Sequence, residues 1–212
     1  MLHGKFISAA ALAVLCHGAF ADTNAQWRFR VWLDDREIGF HEFLLEGEGQ
    51  QQQLISRAEF EYRLLFVKLY EYRHLNRETW KGGCLTSIDS ETDANGEPFS
   101  VTGRRQGETF RITGASGEAE LPGCVMTFAY WNPAFLSQKR LVNSQNGEFL
   151  EVSVSPGSVD RLLIGGREVP ATRYRVEAKD MDLLLWYSEQ NDWLALEAET
   201  DGGRTLRYER QL

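Results

Sequence analysis

The sequence predicts an all-β protein: an antiparallel, strongly curved sheet or open β-barrel with one short helical plug segment. Three observations carry this. Apolar and charged residues alternate with a period of two in run after run. Pairs of turn-forming residues separate those runs at hairpin spacing. One segment, Val125 to Gln138, breaks both habits.

The runs follow in chain order. QWRFRVWLDD sets Trp27, Phe29, Val31 and Leu33 on one side and Arg28 and Arg30 on the other. LISRAEFEYR sets Leu54, Ala58, Phe60 and Tyr62 opposite Arg57, Glu59, Glu61 and Arg63. KLYEYRHLN places Tyr70, Tyr72 and His74 on a shared face. TRYRVEA sets Thr172, Tyr174 and Val176 opposite Arg173, Arg175 and Glu177, and WLALEAET sets Leu194, Leu196 and Ala198 opposite Ala195, Glu197 and Glu199. Turn signals stand at Asp34-Asp35, Gly47 to Gly49, Gly82-Gly83, Asn95-Gly96, Asn146-Gly147, Gly165-Gly166 and Gly202-Gly203. Short hairpins between alternating runs make an antiparallel meander of about a dozen strands.

Leu64 to Val67 and Leu183 to Tyr187 are apolar at consecutive positions. Strands of that kind are buried on both faces, so either something covers the second face or the sheet curls around an interior. The candidate cover is LPGCVMTFAYWNP, Leu121 to Pro133. Met126, Ala129 and Tyr130 fit one helical face, and a short helix or ordered loop is expected at about 121–137, between two groups of strands.

The N-terminus has the three parts of a secretory signal: Lys5, an apolar run from Phe6 to Leu15, and small residues at Ala19 and Ala21. Cleavage is expected after Ala21, leaving a single β-rich domain over residues 22–212 in the periplasm or outside the cell. Leu15 before Cys16 does not match the small residue that normally precedes a lipid-modified cysteine. No second stretch has the about 20 apolar residues of a transmembrane helix. The formal net charge is −8, a poor match to nucleic acid or anionic lipid headgroups. Loss of residues 1–21 leaves Cys84 and Cys124, which in an oxidising compartment are expected to pair. The alternatives are two free thiols or a redox pair, which normally reads C-x-x-C. The bridge closes a loop of 41 residues counted inclusively, for about 4 kcal/mol in the chain-entropy description.

No catalytic or metal pattern stands out, and no cofactor motif is present. Asp89, Glu91, Asp93 and Asn95 alternate like calcium ligands, but Gly96 comes two places late and Ser100 stands at the glutamate position. An acidic wet face running into an Asn-Gly turn explains them. His41 and His74 read as isolated strand residues; two histidines alone do not make a transition-metal site. There is no G-x-S-x-G elbow and no glycine-rich phosphate loop. The ligand-binding candidates are Phe128, Tyr130, Trp131 and Asn132 at a pocket rim, with Tyr72, His74 and Trp186 as cavity wall. For the wall residues, an amphipathic strand with cross-strand aromatic partners is the simpler reading.

Several of these motifs carry a family resemblance. Trp27 to Phe43, Tyr72-Arg73-His74, Trp80 to Cys84, Asp93 to Gly96, Leu121 to Pro133 and Leu184 to Leu196 resemble the bacterial exported family called domain of unknown function 6134. The resemblance implies export, a β-rich fold and no assigned activity. The last hairpins also resemble envelope lipoprotein carriers with a curved sheet around an apolar cavity, a fold-level analogy. The function expected first is therefore a periplasmic protein holding a lipid or other apolar small molecule between sheet and plug. The second is a structural or interaction module of the envelope without a ligand, and a hydrolase comes third, disfavoured by the missing nucleophile–base pattern.

Overall fold

A computed structural model describes residues 24–64, 67–200 and 202–211. The signal-like segment and Cys16 lie outside the described residues. Fourteen strands follow in order: β1 Ala25–Leu33, β2 Arg36–Glu48, β3 Gln51–Leu64, β4 Val67–Lys81, β5 Cys84–Ala94, β6 Glu97–Gln106, β7 Thr109–Gly114, β8 Gly117–Pro122, β9 Arg140–Val142, β10 Phe149–Ile164, β11 Arg167–Ala178, β12 Met181–Tyr187, β13 Trp193–Glu199 and β14 Thr205–Gln211. They form one antiparallel sheet ordered β8-β7-β6-β5-β4-β3-β2-β1-β14-β13-β12-β11-β10-β9. The pairing of β1 with β14, from Arg28↔Gln211 to Leu33↔Leu206, joins an eight-strand wing to a six-strand wing. The free edges are β8 and β9, so the sheet is curled but not closed.

Local chemistry sets the hairpins. At Asn95-Gly96 both central residues have positive φ (60° and 89°), the mirror-image turn that matches strand twist. Asp93 reinforces it by accepting the Gly96 N–H at 2.6 Å. Asp89, Glu91 and Asp93 are exposed, the solvated face expected of them.

Inward-facing residues form the main core, with Phe29, Val31, Leu85, Val101, Phe110, Leu185 and Trp193 fully or almost fully buried. The segment between β8 and β9 lies inside the curl and touches both wings. Trp131 packs edge-on against Trp80 of β4, with ring centroids 5.5 Å apart. Tyr130 packs on Trp193 of β13, and its carbonyl accepts the Tyr187 hydroxyl of β12 at 2.7 Å. Phe135 is fully buried, which contributes roughly 1.5–3 kcal/mol.

The backbone of this plug spans the wings. Leu85 N–H donates to the Val125 carbonyl at 2.9 Å, Val142 N–H donates to the Met126 carbonyl at 2.8 Å, and Thr127 bridges Val142 in parallel. Cys84 and Cys124, each one residue before the Leu85–Val125 pair, form a disulfide with Cα atoms 4.9 Å apart. Farther along the seam, Ala115 N–H donates to Asn146 O at 2.8 Å. A Cβ on Gly114 would lie 2.3 Å from that same oxygen, so only glycine allows this approach.

Four local expectations need correction or refinement. The only helical turn among the described residues is a 3-10 turn, Pro133–Ser137, capped by Asn132. Residues 125–127 are extended because their carbonyls serve the two wings instead of a helix. The burial of the Leu64 to Val67 run lies outside what is described; β3 ends at Leu64 and β4 begins at Val67. Leu65 and Phe66 lie outside the described residues. In β13 the register shifts between Ala195 and Trp193, so Leu194 leaves the face of Leu196 and joins Trp186 and Ala171 in a small outer cluster. That cluster is why Leu183 to Tyr187 is buried on both faces.

Replacing both cysteines by serine is expected to lower unfolding stability by about 2–4 kcal/mol. Denaturant titration of the oxidised protein and the Cys84→Ser/Cys124→Ser variant measures this, and a difference within error would remove the staple from the account.

Candidate ligand-binding site

The inward face is apolar at both ends and polar in the middle. On β4 the inward positions read Tyr72, His74, Asn76, Glu78 and Trp80; Ser56 stands on β3, Ser90 and Thr92 on β5. The register lines them up. His41, Ala58, His74 and Thr92 form one row, and Phe43, Ser56, Asn76 and Ser90 the next. Ala58 is too short to separate its neighbours, so the two imidazoles face each other with centroids 6.5 Å apart.

Hydrogen bonds fix these groups. His41 Nε2 pairs with Ser56 Oγ at 2.7 Å, and its Nδ1 pairs with the Tyr208 hydroxyl at 3.1 Å. His74 Nδ1 pairs with Thr92 Oγ1 at 2.8 Å. The buried Glu78 carboxyl accepts from Asn76 Nδ2 at 2.8 Å and Trp80 Nε1 at 2.9 Å, and also from Thr127 of the plug. Tyr72 donates to Gln145 Oε1 at 3.1 Å.

Burial tunes the titrating groups. It pushes His74 down to about 4. Burial first, and the facing His74 second, hold His41 well below the usual histidine range. Burial raises Glu78 against the opposing pull of its three donors. It also raises the phenols of Tyr72, Tyr130 and Tyr208, keeping them protonated donors.

Sheet and plug enclose a cavity of about 210 Å³ at this polar belt. His41, Tyr72 and Tyr208 also line a more apolar groove of about 600 Å³, which runs past Phe60, Tyr62 and Leu206 toward Leu33 of β1 and Arg204 before β14. At its rim Arg204 is held by Asp34 at 2.7 Å and lies over the Tyr62 ring. A further depression of about 680 Å³ lies outside, over Arg57, Glu59, Arg73 and Glu91, and is broadly open to solvent.

Of the residues singled out from sequence, Tyr72, His74, Phe128, Tyr130 and Trp131 line the inner cavity together. Asn132 caps the 3-10 turn, accepting the Ala134 N–H at 3.1 Å. Trp186 is on the outer face, its Nε1 donating to Asp160 Oδ2 at 2.9 Å. Sequence reasoning passed over His41 as a wall residue, and also Ser56, Asn76, Glu78, Thr127 and Tyr208. A signal existed: the Tyr72–His74 face continues through Asn76 and Glu78 to Trp80, polar residues at core parity.

Comparison with known proteins fits this architecture. The family described as domain of unknown function (DUF6134) matches residues 29–211. The chain belongs to that family. The match takes in nearly every strand of this DUF6134 sheet and the whole plug. No curated protein matches the sequence. A solved structure, a beta-barrel-like protein of domain of unknown function DUF1849 from Brucella abortus, superposes with a TM-score of 0.64. It is 8% identical, with 89% of this chain and 95% of that chain covered, a likeness of fold alone. Among the described residues no helix is long and apolar enough to cross a membrane. No group of three or more histidine, cysteine, aspartate or glutamate residues among them is placed to hold a metal ion.

The histidines predict a pH dependence. With its folded value lowered, His74 stays neutral in the native state while the unfolded chain takes up a proton below about 6.5. Its contribution is complete above that pH and lost as pH falls toward 4, on the order of 3 kcal/mol. His41 acts in the same sense. Glu78 opposes it, because its raised value lets the native state hold a proton that the unfolded chain releases. Denaturant unfolding between pH 7.5 and 4 is expected to show falling stability, with a shallower fall in His74→Gln. Parallel profiles for the two proteins would refute the assignment.

Proposed function

We propose that this DUF6134 protein, after export, binds a small amphipathic or apolar molecule between the sheet and the plug. The observation that carries the reading is that groove and cavity adjoin, with His41, Tyr72 and Tyr208 lining both. A groove lined by Phe60, Tyr62, Tyr72 and Leu206 suits an apolar chain. Beyond it lie convergent polar groups that suit a polar end. The N-terminal signal pattern supports a periplasmic or secreted setting. The beta-barrel-like neighbour supports only the scaffold.

One observation favours the second reading, an envelope module without a ligand. The inner cavity, about 210 Å³, is below the roughly 300–1,000 Å³ of ordinary small-molecule sites. The readings part on cargo. Protein purified gently from the periplasm, examined by native mass spectrometry and solvent extraction, is expected to carry one amphipathic molecule per chain. An unliganded mass, no extractable lipid and no thermal shift with added amphiphiles would leave the structural module.

A further inference from the structure

We infer that the inner cavity selects an uncharged, hydrogen-bonding head group, a hydroxyl- or amide-bearing one, and rejects carboxylate and phosphate heads. The inference rests on the ligand-binding reading above and names the class of ligand. Its starting point is a pair of buried, unpartnered polar atoms in two residues of the cavity wall. Asn76, 3% exposed, has no hydrogen-bond partner for Oδ1 among the described residues. Trp131, 8% exposed, has none for Nε1. Both residues line the cavity. Nearly all buried polar groups find a partner, and one left alone costs about 1–3 kcal/mol.

The two atoms ask for complementary things. Asn76 Nδ2 donates to Glu78, which fixes the amide so that Oδ1 is the free acceptor. Trp131 Nε1 can only donate. A hydroxyl or amide suits either atom, giving a proton to Asn76 Oδ1 or accepting from Trp131 Nε1. A carboxylate or phosphate monoester dianion has no proton to give.

Charge points the same way. Among the described residues the cavity lining contains no lysine or arginine, and both histidines there are disfavoured as cations by burial. Its one carboxyl, Glu78, already accepts from three donors. An anionic head would be buried with no cation to balance it, which is strongly unfavourable. The arginine of the groove, Arg204, is at the outer rim and is held by Asp34. Size limits the head as well: about 210 Å³ is the share of roughly seven waters at about 30 Å³ each, enough for a glyceryl-sized group. The chain then occupies the aromatic groove.

The test compares three probes of equal chain length below their micellar concentrations: monodecanoylglycerol, decanoate and decyl phosphate. Calorimetric titration of the full mature protein at pH 7.5 is expected to give a Kd at least ten-fold lower for the glyceride than for either anion. Trp131→Phe, which keeps the packing ring and removes the donor, is expected to weaken glyceride binding about 5- to 100-fold. Asn76→Leu should act similarly, and circular dichroism reports whether each variant folds. Equal or tighter binding of either anion would overturn the head-group inference and leave the binding reading intact. Glyceride binding that neither folded variant weakens would overturn it too. If no probe binds, the head-group inference falls; if extraction also yields no cargo, the binding reading falls with it.

Discussion

A sheet of fourteen strands whose outer strands do not pair must be held in its curl by something other than its own ladder. Here that is one stretch of backbone, residues 125–127, laid between β5 of one wing and β9 of the other. Its carbonyls accept from Leu85 and Val142. The Cys84–Cys124 bridge sits directly beside the first of these bonds, so the covalent link and the hydrogen bond act on the same point. The arrangement disposes of an aggregation hazard in part, because β9 faces the plug rather than offering a bare edge. It also places Phe128, Tyr130 and Trp131 in the interior, where Trp80, Trp193 and Tyr187 receive them.

Because the plug fills one end of the curl, the polar belt lies between plug and groove instead of opening straight to solvent. A belt of histidine, serine, asparagine and glutamate at core parity weakens the core that its strands would otherwise build. Local rules broken without structural gain are where function is sought. The network is nearly self-satisfied: His41 bonds at both ring nitrogens, His74 reaches Thr92, and Glu78 binds the plug through Thr127. Among the described residues, Asn76 Oδ1 and Trp131 Nε1 at the cavity, and Ser90 Oγ in the belt, are buried without a partner.

Much of this was legible in the sequence, and the reason is parity. Alternation at Trp27 to Leu33 and Leu54 to Tyr62 identified the inward face, Asn95-Gly96 identified a hairpin, and two surviving cysteines identified the bridge. The aromatic plug was legible as a cover because it has neither alternation nor turn glycines. What stayed hidden depends on register between distant residues. Nothing local says that Ala58 stands between His41 and His74, or that Tyr208 reaches across β1 to the His41 ring. Of the segment expected as a short helix or ordered loop at about 121–137, only Pro133–Ser137 is helical among the described residues, because long-range partners claim the carbonyls of Val125 and Met126. The bulge that turns Leu194 outward likewise has no signature in WLALEAET.

The plug backbone, pinned by the disulfide, closes the curl. Hydrogen exchange at the Leu85 and Val142 amides tests it most directly, read residue by residue before and after reduction. Strong protection is expected at both in the oxidised protein. On reduction both should lose it together, while amides of the β2–β3 ladder such as Phe43 keep theirs. Protection at Leu85 and Val142 that is weak from the start, or that survives reduction unchanged, would contradict it.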